Sequence, residues 1–153
     1  MIGLILIAHA PLASALRDCA RHVYSCDADA GAQLRVLDVP PDADLEATVR
    51  AAQVLVAEVN AGMGVLVLTD VYGATPGNVA ARLAEPGRVA VVAGVNLPML
   101  LRALCYRSAG LADVVDKAVA GGQQGVMQVA ATPVQNQGYK PTANDQRRLQ
   151  HQQ

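Results

Sequence analysis

A chain of 153 residues, 52% of them apolar, can build one domain with a substantial core. Twelve Lys and Arg lie interspersed among thirteen Asp and Glu for a net charge of -1, so no basic stripe is available to neutralise nucleic-acid phosphates. No apolar run approaches the roughly 20 residues needed to cross a bilayer.

Residues 2–8 read as a buried strand, and His9 stands at its end. The segment mimics a short leader with an A-x-A site at residues 8–10. However, no Lys or Arg precedes it and about six apolar residues are too few, so the chain is expected to stay in the cytosol with its three cysteines reduced. Pro11 suits the first turn of a helix running to about residue 26. Residues 33–39 ("QLRVLDV") form a second strand, ended by Pro40 and Pro41. Asp44 is a plausible N-cap for a helix through residue 60, with Leu45, Val49, Ala52, Val56 and Val59 at helical spacing. Residues 65–69 ("VLVLT") are a third strand. Thr75 and Pro76 look like an N-cap and first-turn proline opening a helix to residue 84. Residues 88–93 give a fourth strand, and 98–106 and 111–120 two more helices. Residues 125–129 read as a short final strand or an extension. From 131 onward the chain turns polar, rich in Gln, Asn, Pro and Thr, and reads as a disordered tail after a domain of residues 1–130.

Phe and Trp are absent, so the core is aliphatic, which suits a parallel sheet buried on both faces. Alternating strands and helices predict an α/β doubly wound sheet, mainly parallel, of four strands in the order 2-1-3-4. That order reverses between strands 1 and 3, and ligands bind at the carboxyl ends there. His9 ends strand 1 and Thr69-Asp70 ends strand 3, so the topology makes His9 and Asp70 neighbours.

A carboxylate on one imidazole nitrogen fixes the tautomer and makes the other nitrogen the better nucleophile. The loop "DVYGATPGN" follows Asp70 into a helix. Backbone N–H groups around Gly73, Ala74 and Thr75, with the Thr75 hydroxyl, would form an anion site. Together these describe a histidine that carries a phosphoryl group. A satisfied loop histidine beside a turn-capping Asp70 fits the same pattern, and the residues alone leave both open. Cys19, His22 and Cys26 share one helix face, but a buried or partly exposed helix face accounts for them better than a metal site. Asn96 and Pro98 punctuate the exit from strand 4, either as turn chemistry alone or as a wall of the site. Met99 and Leu100 beside them would suit an interface. Arg17 and Arg21 either fringe an acceptor surface or lie on a solvated helix face. His151, in the tail, has no convincing partner. An ion chelatase would want a second ligand at the rim beside His9, and neither His22 nor His151 supplies one. Walker A, G-x-S-x-G, C-x-x-C and G-x-G-x-x-G are absent, and no cofactor is implied.

Four ordered blocks, "LILIAHA", "LTDVYGATPGN", "VVAGVNLPMLL" and "AVAGGQQGVMQV", resemble the IIA component of the mannose family of the bacterial phosphotransferase system over about residues 1–130. The resemblance implies that His9 accepts a phosphoryl group through Nε2 from the phosphocarrier HPr and passes it to a IIB component, a separate chain here, in sugar uptake and phosphorylation. Asp70 matches the aspartate that holds the other nitrogen, and Thr75 a Ser/Thr of the phosphate loop. The resemblance also implies a homodimer exchanging a C-terminal strand, here about residues 125–129, and membrane association only through permease partners. An alternative is a regulator whose phosphorylation state gates a protein partner, motivated by the lack of a fused IIB domain. The chain departs from the family at Ala10-Pro11, where glycine commonly follows the histidine, which predicts a cradle with fewer donors beside His9.

Overall fold

The computed structural model describes residues 1–23 and 34–129. Cys26, Gln33, His151 and the predicted tail lie outside the described residues. The elements run β1 (Gly3–His9), α1 (Leu12–Val23), β2 (Leu34–Val39), α2 (Leu45–Val59), β3 (Val65–Thr69), α3 (Thr75–Ala81), β4 (Val89–Ala93), α4 (Leu97–Tyr106) and α5 (Leu111–Gln124). The sheet has the order β2-β1-β3-β4 with every pairing parallel, as the alternating pattern predicts.

The strands are apolar on both faces because helices cover both. Leu4, Leu6 and Ala8 of β1, with Leu66 and Leu68 of β3, pack under α1, α4 and α5. Ile5 and Ile7, with Val65 and Val67, pack under α2 and α3. Period-two alternation thus divides one continuous apolar run between two half-cores.

Three boundaries differ from the sequence reading for identifiable reasons. The helix predicted to stop at residue 120 continues through Gly121 and Gly122 to Gln124. Their missing side chains let α5 meet α4 closely. A Cβ at Gly121 would lie 2.2 Å from Arg102 Cγ, and one at Gly122 would lie 2.6 Å from Met99 Cε. Packing therefore overrides glycine's poor helix propensity, which costs about 1 kcal/mol per residue. Pro11 precedes the first helical residue rather than starting α1, and its carbonyl accepts from the Ala15 N–H at 3.0 Å. Residues 126–129 form no strand. Val126, Met127 and Val129 are exposed, and no strand lies on the outer edge of β4 among the described residues, so the alternating side chains have nothing to pair against.

Candidate functional site

β1 and β3 pair through Ile7 and Thr69, which sets the ends of the two strands side by side. His9 closes β1 and Asp70 follows β3. The Asp70 Oδ2 accepts from the His9 backbone N–H at 3.0 Å and lies 2.7 Å from ring Nδ1, while Oδ1 accepts from the Val71 N–H at 2.9 Å. Partial burial pushes the Asp70 carboxyl up. The hydrogen bonds from the His9 backbone, its ring and the Val71 backbone outweigh that and hold the group below its ordinary value. The carboxylate is therefore an acceptor, which places the ring proton on Nδ1 and the lone pair on Nε2. The His9 side chain is 50% exposed and that of Asp70 only 9%, so the carboxylate is sheltered and the imidazole is open to solvent.

The loop after Asp70 turns at Gly73, whose φ of +84° disfavours any residue with a Cβ. Asn78 Nδ2 donates to the Gly73 carbonyl at 3.4 Å. Thr75 is not the N-cap that the sequence suggests. Ala74 holds that position without a side-chain cap, and Thr75 opens α3 with an exposed hydroxyl. The N–H groups of Tyr72, Gly73 and Thr75 have no partner among the described residues.

On the other side of His9 three backbone donors are committed, and the Leu12 N–H has no partner among the described residues. Ala10 N–H donates to the Val39 carbonyl at 3.1 Å, and the Ala13 and Ser14 N–H groups donate to Asp38 Oδ1 at 2.9 and 3.2 Å. Pro11 has no N–H, and its peptide with Ala10 is cis. These bonds, together with the proline, account for the donors on this side apart from the Leu12 N–H. Sequence reasoning missed Asp38. Its only signal was an acid at a strand end, with a helix start elsewhere that lacked a capping side chain.

Asn96 settles into turn chemistry. Its Oδ1 accepts from the Met99 N–H at 2.9 Å, capping α4, and its Nδ2 donates to the Gly122 carbonyl at 3.0 Å. Met99 and Leu100 are buried in the core rather than offered to an interface. Arg17 pairs with its neighbour Asp18 at 3.1 Å, and Arg21 is exposed in the last turn of α1. Cys19 and His22 are exposed, and among the described residues no three metal-ligating side chains converge. No described helix is long and apolar enough to cross a membrane.

A parallel sheet that presents a carboxylate-held imidazole at the point where its strand order reverses defines a class, the α/β proteins with a histidine at the carboxyl end of the sheet. Comparison with known proteins narrows the class. The family described as "EIIA-man: PTS system fructose IIA component" matches residues 3–120, and the chain belongs to that family of phosphotransferase-system IIA components. It is similar to the mannose-specific EIIAB component of Escherichia coli, 32% identical over 110 residues that cover 70% of this chain and 34% of that protein. It is also similar to the fructose-specific EIIA component of Bacillus subtilis, 45% identical over 62 residues covering 39% of this chain and 42% of that one. The chain thus spans about a third of the length of the mannose-specific relative. Among solved structures, the mannose/sorbose-specific IIA subunit from Enterococcus faecalis aligns with a TM-score of 0.74 at 25% identity, covering 87% of this chain and 98% of that one. A phosphotransferase-system EIIA component from Streptococcus agalactiae, with a TM-score of 0.72 at 24% identity, covers 84% and 97% and supports the fold.

Proposed function

We propose that this chain is a phosphohistidine carrier of a sugar phosphotransferase system, accepting a phosphoryl group from HPr on His9 Nε2 and donating it to a IIB component. The observation that carries the reading is the 2.7 Å contact between Asp70 Oδ2 and His9 Nδ1, which leaves Nε2 bearing the lone pair toward solvent. The Nε2 lone pair forms the bond to phosphorus as the bond from phosphorus to the donor breaks. The Nδ1 proton stays on the ring against Asp70. Gly73, Ala74 and Thr75 are the phosphate-binding residues, since the Gly73 and Thr75 N–H groups and the Thr75 hydroxyl are uncommitted, while in the turn after His9 the Ala10, Ala13 and Ser14 N–H groups are taken up and only the Leu12 N–H lacks a partner among the described residues. Exposed Leu12, Val71 and Tyr72 offer apolar surface near the nucleophile to a protein donor.

The protein works in the cytoplasm and meets the membrane only through permease partners. It acts as a homodimer, with residues 125–129 exchanged onto the open edge of β4 in a second copy. Exposed Val126, Met127 and Val129 and that unoccupied edge support the exchange. Incubation with phosphoenolpyruvate, enzyme I and HPr is expected to give acid-labile label on the wild type and none on His9→Ala. Full labelling of His9→Ala overturns the proposal.

A further inference from the structure

The sequence gives His9 a carboxylate partner, but the aim of the ring also depends on the turn that carries it into α1. Residues 10–14 must hold still if Nε2 is to sit where phosphorus arrives. Pro11, at the N-cap position of α1, has neither a side-chain acceptor nor an N–H. The Ala13 and Ser14 N–H groups would then be orphan donors of a helix start.

Asp38, the residue before the last of β2, supplies the missing cap from 25 residues away. Its Oδ1 accepts from the Ala13 and Ser14 N–H groups, and its Oδ2 accepts from Ser14 Oγ. The Pro11 carbonyl, 3.2 Å from Ser14 Oγ, is an alternative acceptor for that single hydroxyl proton. The next residue, Val39, accepts from the Ala10 N–H. The turn after His9 is therefore held from β2 by Asp38 and Val39, and the ring from β3 by Asp70. A carboxylate at a helix start is also favoured by the helix dipole.

We propose that Asp38 is a positioning residue for chemistry at His9, acting through the first turn of α1 and never touching the phosphoryl group; this rests on the phosphocarrier reading. Asp38 also takes up the Ala13 and Ser14 N–H groups of the α1 N-terminus, so the transferred group is held chiefly from the loop at residues 71–75.

The test compares Asp38→Ala, Asp38→Asn and Asp38→Glu with the wild type in the full chain. Three quantities are read: single-turnover transfer from phosphorylated HPr over a range of HPr concentrations, the His9 Nδ1 proton resonance by NMR, and the melting temperature. Asp38→Ala, folded at the assay temperature, is expected to lose roughly 10- to 100-fold of the saturating transfer rate, with half-saturation unchanged and the His9 resonance moved. The Asn amide oxygen still accepts from Ala13 and Ser14, so Asp38→Asn is expected to recover to within about threefold of wild type. A folded Asp38→Ala that transfers at the wild-type rate with an unmoved His9 resonance overturns the proposal. So does an Asp38→Asn as slow as Asp38→Ala, because charge rather than hydrogen bonding would then be acting. If Asp38→Ala does not fold, Asp38→Glu decides. A displaced carboxylate should move the resonance and slow transfer, and wild-type behaviour overturns the idea. If the wild type itself accepts no phosphoryl group, the phosphocarrier reading falls, while the His9 resonance still reports whether Asp38 positions the ring.

Discussion

Replacing Asp70 by Asn tests the centre of the site with almost no change of shape. Two carboxylate oxygens now accept three hydrogen bonds, from the His9 backbone, the His9 ring and the Val71 backbone. Asn has one acceptor oxygen. With that oxygen toward His9, its NH2 group faces the Val71 N–H. With it toward Val71, the NH2 faces the ring and forces the proton onto Nε2, which removes the nucleophile. Charge matters as well. When Nε2 takes the phosphoryl group the ring becomes cationic, and a carboxylate about 4 Å from that charge stabilises it by about 4 kcal/mol at an effective dielectric of 20, but only about 1 kcal/mol in water. The half-exposed ring lies between those limits. A loss of about 2 to 3 kcal/mol corresponds to a transfer rate roughly 30- to 150-fold slower. Rapid-quench measurement of label passing from phosphorylated HPr reads the rate, and a thermal melt shows that the variant is folded. A folded Asp70→Asn transferring at more than about a third of the wild-type rate refutes the claim that this carboxylate sets the ring's tautomer and charge.

The remaining predictions concern stability. Thr69 is 1% exposed and its Oγ1 has no partner among the described residues, so Thr69→Val is expected to stabilise the fold by about 1 kcal/mol in a urea titration; a destabilised variant would show that the hydroxyl is bonded. Asn96→Ala removes both the α4 cap and the bond to Gly122, and is expected to cost about 1 to 2 kcal/mol by the same titration. Because Asp70 is held below its ordinary value, its contribution is complete above about pH 4 and is lost as the pH falls through the lower folded value. Urea midpoints between about pH 5 and pH 2 are expected to fall more steeply for wild type than for Asp70→Asn.

The legible part of this fold is what alternation and topology dictate. An aliphatic sequence cut into strands and helices leaves few arrangements, and the order 2-1-3-4 brings residues 9 and 70 together before any distance is known. The cap at Asp44 was legible too, because the bond to the Ala47 N–H at 2.7 Å is local. What escaped the sequence is contact between distant segments. Asp38 caps a helix that starts before it in the chain, and nothing near Pro11 advertises the acceptor. Gly121 and Gly122 read as a helix end until α4 is seen pressed against them. Thr75 looks like a cap, but the chain starts α3 one residue earlier.

The hydrogen bond between His9 and Asp70 spans 61 residues of chain. It exists only when β1 and β3 have paired, and β3 reaches β1 only after the whole of α1, β2 and α2 has been routed over the sheet. A slip of one residue in that pairing moves Asp70 about 3.3 Å along the strand and turns the neighbouring side chains to the opposite face. Parallel pairing over such a separation is among the slower events of folding. A nascent or partly unfolded chain therefore offers a bare imidazole without its carboxylate, and competence at His9 becomes a report that the sheet has closed in the correct register.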